Sequence, residues 1–126
     1  MEGFDYVHRE TVRFRDVDAM GHVNNAVFLT YLEEARISYL LRFGAGVTDM
    51  ILARVEIDFC APLRSGDELE IGVRAADIGT KSFELEYQVR AAASVAAEAK
   101  TVIVSYDYET GRSVELPQSW KEALAA

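Results

Sequence analysis

The sequence predicts an α+β fold in which a five-stranded antiparallel sheet wraps around one long helix. Three observations predict it. A single long segment has helical periodicity, one strand-like stretch precedes it, and four follow it with only short turns between them. Short turns cannot make the crossovers that parallel strands need, so the sheet is expected to be antiparallel. One helix cannot shield a whole sheet flank, but it can fill the concavity of a strongly curved sheet. At 126 residues the chain suits one domain over 1–126, with no repeat and no boundary.

The elements follow in order. Residues 4–15 alternate, with Phe4, Tyr6, Val12 and Phe14 on one parity and Arg9, Thr11, Arg13 and Arg15 on the other, which reads as a half-buried strand. A polar, Gly-containing turn spans 16–25. The helix is expected over 25–43, where Phe28, Tyr31, Leu32, Ala35, Tyr39 and Phe43 make one apolar face. Thr30, Glu33, Glu34 and Arg36 lie mainly outside that stripe, and Glu33 can support Arg36 one turn on. Asn24 or Asn25 can cap its start, and Gly44 and Gly46 close it.

In the second strand, 51–59, Ala53, Val55, Ile57 and Phe59 share one face, and Arg54, Glu56 and Asp58 the other. Pro62 and the turn at 64–67 end it. Leu69, Ile71, Val73 and Ala75 alternate in the third strand, and 77–80 turns the chain. Phe83, Leu85, Tyr87 and Val89 alternate in the fourth. An Ala-rich run over 91–99 holds a hairpin tip near Ala93 and Ser94. Residues 101–108 are apolar on both parities, as in a central strand. A turn at 109–112 follows, and Pro117 opens a short C-terminal helix ending near Leu124.

Composition excludes several functions. Thirteen Lys and Arg stand against twenty-one Asp and Glu, a net charge of −8 that repels nucleic acid and anionic lipid. Cys60 is the one cysteine, so no internal disulfide can form, and its apolar surroundings read as core. The N-terminus has acids where a signal peptide needs Lys or Arg, and no apolar run approaches a membrane span, so the expected location is the cytoplasm.

The reactive groups concentrate in residues 16–25, DVDAMGHVNN, between the first strand and the helix start. A helix N-terminus offers unpaired N–H groups and the positive end of a dipole, which can polarise a carbonyl. Asp18, a few residues upstream, can face the same spot as a base or nucleophile. Gly21 permits a turn that a side chain would obstruct. Spacing alone favours Asp and Asn as caps and His22 as a hydrogen-bonded structural residue over catalytic roles. Calcium is excluded because Met20 and Val27 stand where a calcium loop needs ligands. Zinc needs more His or Cys than this stretch supplies, so no metal is expected. Residues 79–82 lack the glycine spacing of a phosphate loop, and no Gly-x-Ser-x-Gly elbow occurs.

Residues 16–25, followed by Phe28, Tyr31, Glu33 or Glu34, Ala35 and Arg36, resemble the signature of hotdog-fold thioesterases of the hydroxybenzoyl-CoA thioesterase type. The stretches 56–59, 62–67 and 78–87 resemble that family as well, so the likeness covers nearly the whole chain. It implies a hotdog fold and hydrolysis of an acyl-CoA thioester, with Asp18 as general base or nucleophile. It implies that the Asn25 N–H polarises the thioester carbonyl. It also implies a homodimer or dimer of dimers that binds coenzyme A near a subunit interface, with no cofactor. His22 matches a helper His of the related plant acyl-carrier-protein thioesterases, although Met20 departs from their Asn. Phe14 and Asn25 depart from the Tyr and His of the branch associated with the Tol–Pal envelope system. Arg64, Lys81 and Ser82, at turn positions, are candidates for the phosphates, and Tyr31 for an apolar acyl pocket beside the helix. A non-catalytic acyl-CoA sensor and a hydroxyacyl-thioester dehydratase are the alternatives.

Overall fold

The computed structural model describes residues 1–44 and 49–126. In chain order the elements are β1 (Tyr6–Thr11), a 3₁₀ turn (Phe14–Asp16), α1 (Asn25–Leu41), β2 (Met50–Phe59), β3 (Glu68–Ile78), β4 (Ser82–Ala91), β5 (Ser94–Asp107), β6 (Arg112–Ser113) and α2 (Gln118–Ala125). The sheet runs β1-β3-β4-β5-β2 with every pairing antiparallel. The expectation of five strands omits β6, a two-residue strand that adds to β5 where the sequence reads as turn.

The alternation of the central strands is the source of the core. Leu69, Ile71 and Val73 of β3 and Phe83, Leu85, Tyr87 and Val89 of β4 are all buried. They meet Phe28, Tyr31, Leu32, Ala35, Tyr39 and Leu40 of α1 in one cluster, which α2 joins through Trp120 and Leu124. The Asn24 side chain caps α1 by accepting the Ala26 N–H at 2.9 Å. At the other end Gly44 takes φ +98°, a left-handed conformation that suits glycine. Gly46 lies outside the described residues.

Four sequence expectations are corrected. The first strand does not continue to residue 15: the ladder with β3 ends at Thr11, Val12 still exchanges backbone bonds with the 64–67 turn (its N–H to Asp67 O and its O from the Gly66 N–H, both 2.9 Å), and beyond it no strand lies alongside. The chain instead turns, Asp16 accepting from the Arg13 N–H at 3.0 Å, and Phe14 is left 83% exposed. Cys60 is exposed, since it follows the end of β2 and its N–H and that of Ala61 both bond Ala96 O.

Arg36 is buried rather than outside the helix stripe. Its guanidinium donates to Tyr87 Oη at 3.5 Å, and Tyr87 Oη shares a 2.6 Å bond with Thr101 Oγ1. In β2, Ala53 does not share a covered face with Val55 and Ile57, because the register slips between Leu52 and Arg54, whereas Phe59 keeps their parity and is half exposed at the strand end against Phe28. No described helix is long and apolar enough to cross a membrane.

Leu85 is fully buried on the middle strand, so Leu85→Ala should lower stability by about 2–5 kcal/mol, whereas Phe14→Ala should stay within about 0.5 kcal/mol of the parent. Urea denaturation of the two variants checks both.

Candidate active site

The two aspartates of residues 16–25 have opposite environments. Asp16 is buried, and its Oδ2 accepts from Tyr31 Oη at 2.6 Å, from the Arg13 N–H at 3.0 Å and from Arg13 Nε at 3.4 Å. Burial alone would raise its pKa, but the Tyr31 hydroxyl and the Arg13 donors outweigh it and hold the carboxyl below the ordinary range. Burial and the Asp16 charge together push the Tyr31 hydroxyl far up, so it stays a donor. Tyr31 is fully buried, so it fixes the segment to the helix and does not line a cavity.

From that anchor, residues 17–23 leave the core and return. Val17 and Val23 form an antiparallel bridge, closed by Asp18 N–H to His22 O at 2.8 Å and Asn24 N–H to Asp16 O at 3.2 Å. Gly21, at φ +81°, turns the excursion, with its N–H on Asp18 O at 3.0 Å. Asp18 is thereby held out of the core. Its Oδ1 accepts the Met20 N–H at 2.9 Å, and its second oxygen has no partner among the described residues.

Asp18 lines an open crevice of about 390 Å³ together with His22, Asn25, Phe28, Phe59 and Cys60. The opposite wall is the segment after β2, tied to the loop by Val23 N–H to Leu63 O at 2.8 Å. Phe28 and Phe59 meet edge to face at 5.2 Å, giving the crevice an aromatic side. At the helix start the Ala26 and Val27 N–H groups are taken by Asn24, while the Asn25 N–H has no acceptor among the described residues. A free carboxylate oxygen and a free helix N-terminal donor therefore border the same space. That pair can deliver a base or nucleophile to a carbonyl and hold the charge that develops on its oxygen.

The structure thus brings Asp18, His22 and Asn25 together. Gly21 shapes the loop without lining the crevice. Arg64 is exposed in the 64–67 turn, its N–H on Asp67 Oδ2 at 2.9 Å, and does not line the crevice. Lys81 and Ser82 sit at the far end of the sheet. Ser82 is in register with Val104 and Ile51, whereas Phe59 is in register with Ala97 and Val89. Seven residues of strand separate the two levels, about 23 Å at the usual rise.

The sequence reading missed Phe59, Cys60 and Pro62 as crevice walls. Pro62, closing a strand opposite the 16–25 loop, was the available signal. A larger groove of about 1060 Å³ along the β1 edge meets the crevice at Ala61 and Pro62 but contains none of residues 16–25. Among the described residues, one group of metal-capable side chains converges: His8, Glu10 and Glu34.

Comparison with known proteins gives concordant findings. The model of the Thioesterase-like superfamily matches residues 12–124. A 1,4-dihydroxy-2-naphthoyl-CoA hydrolase of Nostoc punctiforme is 32% identical over 120 residues, 89% of this chain and 81% of that one. A Thermus thermophilus thioesterase solved with coenzyme A and Zn is 41% identical, with a TM-score of 0.92 over 98% of this chain and 94% of that one. The Synechocystis 1,4-dihydroxy-2-naphthoyl-CoA thioesterase Slr0204 is 25% identical, with a TM-score of 0.86 over 95% of both chains.

The Tyr31 hydroxyl keeps the buried Asp16 charge satisfied, so Tyr31→Phe should cost about 1–3 kcal/mol at neutral pH. A lowered carboxyl pKa contributes stability above the unfolded-state value and loses it as pH falls through the folded-state value. The gap between variant and parent should therefore close on acidification, which denaturation series at several pH values would show.

Proposed function

The chain belongs to the Thioesterase-like superfamily, and from that membership we propose that it hydrolyses an acyl-CoA thioester to a carboxylic acid and coenzyme A. The observation that carries this reading is the crevice shared by Asp18 and the Asn25 N–H, which has no acceptor among the described residues. With Asp18 as general base, its free oxygen takes a proton from water while the water oxygen adds to the thioester carbon. The carbonyl oxygen gains negative charge, and the Asn25 N–H at the positive helix end stabilises it. Collapse breaks the C–S bond, and the departing thiolate takes up a proton, for which His22 stands in the same crevice. With Asp18 as nucleophile the same donor serves attack of the carboxylate, and water then cleaves the resulting anhydride.

The aromatic wall of Phe28 and Phe59 suits the acyl end. The naphthoyl-CoA hydrolases among the relatives place aromatic acyl groups first in the panel to test. The uncommitted Asp18 oxygen favours hydrolysis over a non-catalytic acyl-CoA sensor, which needs no such group.

A homodimer accounts for the displaced Lys81 and Ser82. β2 is an edge strand of ten residues beside an apolar groove that includes Ile37, Leu40, Leu52 and Tyr108. An unpaired edge of this length is a template for another strand. If two copies pair their β2 strands antiparallel about Val55, Arg54 meets the partner's Glu56 in both directions. That pairing sets Ile51 against the partner's Phe59. The Lys81 turn then lies about three strand spacings, ~14 Å, from the partner's crevice, near enough for an extended CoA to reach its phosphates.

Asp18→Asn should lower kcat by about 10²–10⁴-fold across a panel of acyl-CoAs while leaving ligand affinity largely intact. Wild-type turnover in a free-thiol assay would overturn the assignment. Arg54→Glu should dissociate the dimer in analytical ultracentrifugation, and adding Glu56→Arg should restore it. A monomeric parent, or a variant that remains dimeric, refutes this pairing.

A further inference from the structure

Away from the crevice, three reactive side chains from two elements converge at the β1 edge. His8 and Glu10 occupy alternate positions of β1 and so share a face, and Glu34 reaches them from α1. Their ligand-capable atoms all lie within 4.8 Å of one another, with His8 Nε2 at 3.2 Å from Glu10 Oε2. The site is partly sheltered: the side chains of His8 and Glu10 are 19% exposed and that of Glu34 is 35%.

A sheet carboxylate packed against a helix carboxylate is repulsive unless a proton or a cation lies between them. The Nη2 of Arg13 lies 3.8 Å from Glu34 Oε1. Its Nε is already engaged by Asp16 at 3.4 Å, so one guanidinium is divided between two carboxylates.

We propose that His8, Glu10 and Glu34 form a divalent transition-metal site suited to Zn²⁺. The donor chemistry supports that class: an imidazole with two carboxylates fits zinc, whereas calcium and magnesium take oxygen ligands. The spacing supports it as well. Zinc–nitrogen and zinc–oxygen bonds of about 2.0–2.2 Å place neighbouring ligand atoms about 3.3–3.6 Å apart around a tetrahedron. The His8–Glu10 pair already stands at 3.2 Å, and all three ligand atoms lie within 4.8 Å of one another. Three protein ligands leave the fourth position to water.

The cation would join β1 to α1 just before the segment that carries Arg13 and Asp16. It would release Arg13 to Asp16 and brace the anchor beneath the Asp18 loop. The site involves neither Asp18 nor His22 and does not depend on the thioesterase reading.

Untagged full-length protein, stripped with chelator and passed through gel filtration after ZnCl₂ addition, tests the site by elemental analysis. The wild type should retain about one zinc per chain and melt at a higher temperature when loaded. Glu10→Gln, Glu34→Gln and His8→Gln should each weaken retention at least about tenfold, since each removes one ligand. The double variant Asp18→Asn, His22→Ala should retain zinc as the wild type does. Zinc-edge X-ray absorption of the loaded wild type, which requires no variant to fold, should show only nitrogen and oxygen donors. The site is refuted if the wild type retains no zinc, if the three Gln variants retain it fully, if the double variant loses it, or if a sulfur ligand appears.

Discussion

The 2.6 Å hydrogen bond from Tyr31 to the buried carboxylate of Asp16 is the constraint on which the rest of the crevice depends. A buried charge without donors is unfavourable by several kcal/mol, so the chain must keep Asp16 within reach of Tyr31 and the Arg13 N–H. That requirement sets where residues 17–23 leave the core, and the Val17–Val23 bridge sets where they return. Between those points only five residues remain, and Gly21 turns them in a left-handed conformation. Asp18 has little freedom left: its backbone bonds both Gly21 and His22.

Two carboxylates two residues apart thus meet opposite environments. The carboxylate that receives three donors is stabilised as a charge and is a poor base, because each donor lowers its affinity for a proton. The carboxylate held outward keeps a free oxygen and can exchange protons or attack. The same logic separates the helix donors. Asn24 consumes the N–H groups of Ala26 and Val27 and leaves that of Asn25 at the crevice. The capping role that spacing alone allows for Asn24 is therefore real, and it makes the neighbouring donor available instead of competing with it.

How much of this was legible in the sequence follows from the range of the interactions. Alternation is local, so the buried faces of β3 and β4 could be read directly from Leu69 to Val73 and Phe83 to Val89. So could the helix stripe from Phe28 to Tyr39 and the need for glycine at Gly21. Pairing partners are not local. Phe14 continues the β1 alternation, yet β3 has no residue to pair with it. Cys60 reads as core from its neighbours, yet the shared acceptor Ala96 O turns it outward. Arg36 reads as surface by charge, yet Tyr87 and Thr101, more than fifty residues on, give it a polar path through the core. The convergence of His8 and Glu10 with Glu34 was hidden for the same reason, since only packing of β1 against α1 brings them together.

The separation of Lys81 and Ser82 from Asp18 follows from the same register. Their spacing is fixed by hydrogen-bonded rows from Ser82 through Val104 to Ile51 and from Val89 through Ala97 to Phe59. No side-chain rotation can close a distance set by a sheet. Either these residues have no part in the site, or a second chain supplies them. An antiparallel two-fold pairing along β2 exchanges the two ends of the strand, and so matches the distant level of one chain to the crevice level of the other. The edge strand that a lone protomer leaves unpaired is thus the element able to complete the proposed site.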